Sequence, residues 1–375
     1  MSPPRQIASP DDSAGRPEWR YIVHDYLQVN GGAERLVTTL ARDLPRTKLV
    51  VSGIYSDFLQ TADIEGVDVR VLARHVRWLP RIPRALAAFA SGQARFLDAE
   101  GIVYSGVFAP LAVQSQKSGK RIYYCHTPPR FAFDRIEHYL VRAPFVLHRA
   151  LRRAIAVYRR AYLDAVRAMD VVITNSEHVR TRLREQTGVR AEVVHPPIDT
   201  ARFRWRGSGG YYLSLGRLEP NKRVDVVVKA FLQMPDKRLV VASGGSQRRD
   251  LERLAAGAPN ISFTGWIDDA RLAELIGNAV ACIYVPRNED FGMSAVEAMA
   301  AGKPVIGVDE GGMRETIVHG ETGILAAADP RPSDIIRAVE RLGDASTSAM
   351  RDACERRARD FSRERFVSAM AALLS

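Results

Sequence analysis

Short apolar runs of three to five residues alternate along the chain with longer stretches in which apolar residues recur at helical spacing. From Tyr21 to Val308 that alternation predicts βαβ units and parallel sheets. In the first half the predicted strands are Tyr21–Val23, Lys48–Ser52, Ile102–Tyr104, Arg121–Cys125, Val171–Thr174 and Glu192–Val194. The pattern stops at His195-Pro196-Pro197-Ile198-Asp199, where two adjacent prolines enforce an extended, helix-free connector. It restarts with strands at Tyr211–Leu215, Arg238–Ala242, Ile261–Phe263, Ala281–Val285 and Pro304–Val308. Helices are predicted between them near Val224–Leu232, Arg248–Ala255, Ala270–Gly277 and Ser294–Ala301. Two doubly wound α/β domains fit the 375 residues. They are placed at 19–195 and 200–361, after a tail over 1–18.

Ligands of such sheets bind beyond the carboxyl ends of the strands, so the loops that follow strands carry the chemistry. After the first strand comes Asn30-Gly31-Gly32-Ala33-Glu34-Arg35, a plausible phosphate seat because Gly31 and Gly32 admit close backbone approach at a helix start. A tight strand-to-helix turn would need the same glycines, and the loop is not the G-x-G-x-x-G of a nicotinamide enzyme. His126, at the end of Arg121–Cys125, is placed to face a cleft and donate to a sugar hydroxyl, with a purely structural role as the alternative. In Gly216-Arg217-Leu218-Glu219-Pro220-Asn221-Lys222, Arg217 and Lys222 could neutralise a diphosphate. The stretch from Glu289 to Gly302 puts Glu289 on a loop and Glu297 about one turn into a helix. The two carboxylates therefore suit two parts of one ligand better than a close acid/base dyad. Gly292 and the helix start at Met293 add backbone donors. Asp309-Glu310-Gly311-Gly312-Met313 reads as a third site of the same type.

These residues resemble glycosyltransferase family 4. Glu289 and Glu297 match the E-x7-E motif of retaining glycosyltransferases within EDFGMSAVEAMAAGKPVIG. The segments GGAER, YCHTPPR, TNSEHVR, VVHPPIDT, GRLEPNK, FTGW and GGMRETI fit in order over residues 20–365. The resemblance implies a GT-B fold: two Rossmann-like domains facing a cleft, with a last helix in 362–375 crossing back onto the first. It implies Arg217 and Lys222 as diphosphate ligands, Glu297 on the ribose, and Glu289 on the donor sugar with backbone amides at Phe291, Gly292 and Met293. Gly265 and Trp266 fall at the base, His126 against the donor sugar, and Gly31 and Gly32 near the diphosphate and acceptor. It further implies transfer from a nucleoside diphosphate sugar with retention, no cofactor and no metal. The YCHTPPR and EDFG variants look like bacterial mannosyltransferases that build lipopolysaccharide O-antigen and exopolysaccharide on a polyprenyl diphosphate lipid. GDP-mannose is thus the first expectation for the donor, with UDP-glucose, UDP-galactose or a rhamnose donor as alternatives.

Charge adds the acceptor side. The chain carries a net charge of +11, yet Val67 to Ala168 holds 18 Lys plus Arg against 6 Asp plus Glu, so the remainder is nearly neutral. A local basic block predicts a polyanionic partner. Within Arg142–Leu163, helical spacing gathers Arg149, Arg152, Arg153 and Arg160 on one face opposite Leu147, Leu151, Ile155, Tyr158 and Tyr162. Four cations at an anionic leaflet contribute about 4 kcal/mol, enough to orient a protein without anchoring it. Val76–Phe96, with Trp78, Phe89 and Phe96, is expected to add apolar contact. A nucleic-acid-binding protein or a GT-B sugar-nucleotide epimerase are the competing readings. The first lacks any zinc, RNP or helix-turn-helix pattern. Three scattered cysteines, Cys125, Cys282 and Cys354, and a proline-rich Met1–Pro17 without an apolar core predict a cytoplasmic protein, peripheral at the inner leaflet.

Overall fold

The computed structural model describes residues 19–61, 64–72, 78–90, 99–141 and 143–375. The expected tail over 1–18 lies outside the described residues, as do Val76, Phe96 and Arg142. Two parallel sheets organise the chain. The first contains β1 (Arg20–His24), β2 (Thr47–Val51), β3 (Val69–Val71), β4 (Gly101–Ser105), β5 (Lys120–Cys125), β6 (Val171–Thr174) and β7 (Glu192–Val193), in the spatial order β3-β2-β1-β4-β5-β6-β7. The second contains β8 (Tyr211–Ser214), β9 (Arg238–Ala242), β10 (Ile261–Gly265), β11 (Cys282–Ile283), β12 (Val305–Val308) and β13 (Gly323–Ala326), in the order β10-β9-β8-β11-β12-β13. Both sheets reverse their winding once, at β1/β4 and at β8/β11. These switch points open crevices at the strands' carboxyl ends. The central strands are buried on both faces, as covered parallel sheets require, which is why they read as unbroken apolar runs.

The strands absent from the sequence reading are β3 and β13, one at an edge of each sheet. Their cores, Val-Arg-Val and Gly-Ile-Leu-Ala, are too short to show periodicity. The predicted strand Ala281–Val285 narrows to Cys282–Ile283, with single bonds to neighbouring strands continuing on either side, from Val280 N to Tyr211 O at 2.8 Å and from Tyr284 N to Ile306 O at 2.9 Å. Phe89 is buried in the first core, so the segment expected to offer apolar contact keeps only Trp78 exposed among its described aromatics.

The chain crosses between the sheets twice, side by side. Ile198 donates its amide to Phe361 O at 2.9 Å, and Arg363 returns one to Ile198 O at 3.2 Å. Helix Arg363–Leu374 then buries Phe366, Met370 and Leu374 in the core under β1 and β2, with the Phe366 ring 6.0 Å from Tyr124. Arg363 Nε clamps the crossing to Asp43 at 2.6 Å. Phe366→Ala should destabilise the first domain by about 3–5 kcal/mol through the cavity it leaves. Equilibrium urea unfolding followed by fluorescence is the check, and an unchanged midpoint would mean that the helix contributes nothing to this core.

Candidate active site

The carboxyl ends of β1, β4 and β5 bring three polar side chains together. Nδ1 of His24 lies 3.0 Å from Ser105 Oγ, which lies 2.8 Å from His126 Nε2. The serine thus ties the predicted cleft histidine to a second one. Beside them the buried Asp25 accepts amide hydrogens from Val107, Phe108 and Ala109 at 2.7–2.8 Å and fixes the loop after β4. Burial lowers the pKa of His126 to about 3, with His24 adding to the shift, and that of His24 to about 4; it raises Asp25 to about 6. Both imidazoles are therefore neutral near pH 7. His24, Asp25 and Ser105 escaped the sequence reading because a His-Asp pair ending a strand carries no spacing signal.

Facing this edge are the loops of the second sheet. Glu289 accepts from Lys222 Nζ at 2.8 Å, and the same ammonium donates to Tyr284 OH at 2.6 Å. Arg217 stands exposed, close enough to influence Glu34, Glu219 and Tyr284 electrostatically. Next to Lys222 lies an arginine the sequence did not single out: the buried Arg223 donates to the carbonyls of Val285, Pro286 and Ala328 at 2.6–2.8 Å. It holds the loop leading to Glu289 in place. Phe291 is buried, Gly292 precedes helix Met293–Ala300 as its cap, and Glu297 falls one turn inside, as spacing predicts.

The Asp309–Met313 segment is not an independent third site. Its helix, Met313–Thr316, has four residues, and its glycines back the Glu289 loop. The Gly312 amide donates to Glu289 O at 2.9 Å, and a Cβ on Gly312 would collide with the backbone of Asp290 and Phe291. Gly265 ends β10 and is followed by the exposed Trp266, whose indole lies against Gly244.

Several contacts close the two halves on each other. Gly31 caps helix Gly32–Asp43, and a Cβ on Gly32 would meet Met293 Sδ at 2.6 Å, so the first-domain turn lies directly against the second-domain helix start. One turn on, Arg35 Nη1 binds Glu297 Oε1 at 2.8 Å. Arg182 spans Thr127 Oγ1 (3.3 Å) and Asp290 Oδ1 (2.7 Å), linking the His126 strand end to the Glu289 loop. Burial lifts Asp290 to about 6 despite Arg182. Beside these contacts is a cavity of about 240 Å³ lined by Asn30, Arg35, Arg202, Asp269, Met293 and Glu297 among others. Thus Glu289 and Lys222 meet directly, Met293 meets the Gly31–Gly32 turn while Glu297 meets Arg35 on the helix that follows it, and Arg149, Arg152, Arg153 and Arg160 lie apart on the exposed surface of helix His148–Arg167.

Comparisons with known proteins agree with this architecture. Residues 30–202 match the model described as Glycosyltransferase Family 4, and residues 198–361 match Glycosyl transferases group 1. A GDP-mannose-dependent alpha-(1-6)-phosphatidylinositol dimannoside mannosyltransferase of Mycobacterium tuberculosis is 33% identical over 195 residues, half of each chain. Mannosylfructose-phosphate synthase of Agrobacterium fabrum is 24% identical over 79% of this chain and 75% of that one. The chain spans about half the length of the first curated relatives it matches. HepE of Anabaena, solved with UDP and glucose, superposes with a TM-score of 0.74 at 16% identity, covering 95% of this chain and 99% of that one. Sucrose-phosphate synthase of Thermosynechococcus elongatus gives 0.76 at 18%, covering 95% and 98%. The chain belongs to the family 4 glycosyltransferases and has the GT-B fold.

Two outcomes follow from this geometry. Gly312→Ala should cost about 1–3 kcal/mol, because the backbone it strikes cannot rotate away; a thermal melt matching the parent would refute the close packing. The unfolded chain protonates its histidines near pH 6.5, whereas His24 and His126 stay neutral in the native state down to about 4 and 3. They therefore contribute stability that is lost as pH falls from 6.5 toward 4. Asp25, protonated below about 6 when native, opposes part of that loss. Imidazole NMR resonances of both rings should stay flat from pH 5 to pH 8, and a titration midpoint in that range would contradict the assignment.

Proposed function

We propose that the protein transfers a hexosyl group, mannose from GDP-mannose as the first choice, onto a polyprenyl-diphosphate-linked saccharide with retention of configuration, in cell-surface polysaccharide synthesis. The observation that carries the reading is that the Lys222–Glu289 pair lies on the second-domain loops leading to helix Met293–Ala300, whose start meets the Gly31–Gly32 turn and whose Glu297 pairs with Arg35. Glu297 binds the ribose hydroxyls, displacing Arg35. Glu289 holds donor sugar hydroxyls, with Lys222 turning to the diphosphate beside Arg217. The amides at the start of helix Met293–Ala300 and the Gly31–Gly32 turn add fixed positive dipole near the departing phosphate. Such preorganised charge stabilises the leaving group at the moment it forms. Neutral His126, held by Ser105, presents an imidazole to the sugar without adding charge. The leaving phosphate oxygen accepts the acceptor's proton on the same face. Gly265 and Trp266 border the base.

The relatives include a GDP-mannose-dependent enzyme, which supports guanine, and the UDP complex of HepE keeps uracil as the second reading. A thermal-shift screen of GDP, UDP and ADP separates them: a nucleotide at 100 times its Kd should stabilise by about 2.7 kcal/mol. Lys222→Ala and Glu289→Ala should each reduce acceptor-dependent release of nucleoside diphosphate by about 100-fold or more while still unfolding in one cooperative thermal transition. Turnover within a few-fold of the parent would remove the assigned roles, and tight RNA binding without turnover would overturn the reading as a whole.

A further inference from the structure

Between Tyr139 and Val157 the described surface exposes a run of large apolar side chains that ordinary patterning would bury. Phe145 is 84% exposed, Val146 83% and Val141 79%, and Leu147, Leu151 and Val157 are exposed beside them. They lie just after helix Ile136–Leu140, on the 3-10 turn Phe145–Leu147 and along the first half of helix His148–Arg167. The sequence pattern assigns Leu147 and Leu151 to the packed face of that long helix, but its packing begins only at Ile155. Tyr158 donates to Val107 O at 2.5 Å and lies 4.8 Å from the Phe131 ring, and the Tyr162 and Tyr123 hydroxyls are 3.0 Å apart. The first two turns project beyond this aromatic root with exposed residues on nearly every side. The root sits on the loop that Asp25 fixes, and the projecting segment follows the His126 strand end by fewer than twenty residues. The arm therefore rises from the rim of the site.

Its charge is as one-sided as its tip is apolar. From Arg135 to Arg160 the chain has seven arginines and one acidic residue, Glu137, which pairs with Arg152 at 2.8 Å. Arg149, Arg153 and Arg160 are exposed. We propose that this arm docks the protein onto an anionic bilayer, with Phe145, Val146 and Leu147 entering the headgroup boundary and Arg149, Arg153 and Arg160 binding lipid phosphates. Apolar tip and cationic collar act together, as in interfacial helices that lie on membranes without crossing them. A nucleic acid would satisfy the arginines but leave the valine and leucine side chains without a partner. A second copy would cover the apolar tip but, in a two-fold contact, would set the same arginine collar against itself. No helix among the described residues is long and apolar enough to span a membrane. The inference rests on the proposed lipid-linked acceptor only for its purpose; the surface argument stands apart from the donor chemistry.

The test is flotation of the full chain with vesicles of phosphatidylcholine alone and with part of it replaced by phosphatidylglycerol. The parent should float with the anionic vesicles, and Phe145→Asp with Val146→Asp should weaken that binding at least tenfold with every arginine intact. Arg149→Glu with Arg153→Glu should abolish the preference for phosphatidylglycerol. Both double variants should melt as the parent does and keep its nucleotide thermal shift, so loss of docking is distinguished from failure of the donor site. Equal flotation of the aspartate variant, or absence of parent binding to anionic vesicles, overturns the proposal. So does a concentration-dependent dimer in sedimentation that the aspartates abolish, or RNA binding that survives excess anionic vesicles.

Discussion

The carboxylate of Glu315 caps a helix that belongs to the other half of the molecule. Its two oxygens accept the amides of Glu177 and His178, each at 2.8 Å, and Oε2 lies 3.5 Å from His195 Nε2 on the connector. Burial pushes the Glu315 pKa up, but His195 and the two amides outweigh it and hold the group below its ordinary value. An anion at a helix N-terminus, with its charge-assisted bonds partly sheltered, ties the second domain to the first at this point. Arg182–Asp290 and Arg35–Glu297 lie on the same interface. So does the contact of Met293 with the Gly31–Gly32 turn.

Within this frame the site is assembled from pairs whose members come from separate elements. Lys222 and Glu289 arrive from loops after β8 and β11, and Arg35 and Glu297 from helices in different domains. In each pair the carboxylate is compensated in the structure as it stands, since an unpaired buried charge would be costly. Under the proposed roles, donor binding exchanges these partners for hydroxyls and phosphates. Under those roles the released Lys222 turns to the diphosphate. His126 differs because its neutrality is set by burial and its orientation by Ser105, with no counter-ion involved.

Much of this arrangement was legible in the residues. The apolar runs placed the central strands within a residue or two, since a covered parallel strand must be apolar throughout. Edge strands β3 and β13 were illegible because three or four residues carry no period. The Glu289–Gly302 stretch located its carboxylates on loop and helix correctly, because helix start and spacing are local properties. Gly311–Gly312 was misread as a separate site for the complementary reason: strand, glycines and helix look alike whether glycine admits a ligand or a neighbouring loop.

The same division runs through the whole molecule. Sequence alone determined the doubly wound α/β class, the break at the paired prolines, the family and the basic character of the first half, because each depends on neighbours along the chain or on composition. Only the tertiary structure decided that Arg35 meets Glu297 across 262 positions, and that Ser105 joins His24 to His126. It also decided that Leu147 and Leu151 stand in solvent while Tyr158 and Tyr162 are buried. Helical periodicity says which residues share a face; whether anything covers that face depends on where the other elements end.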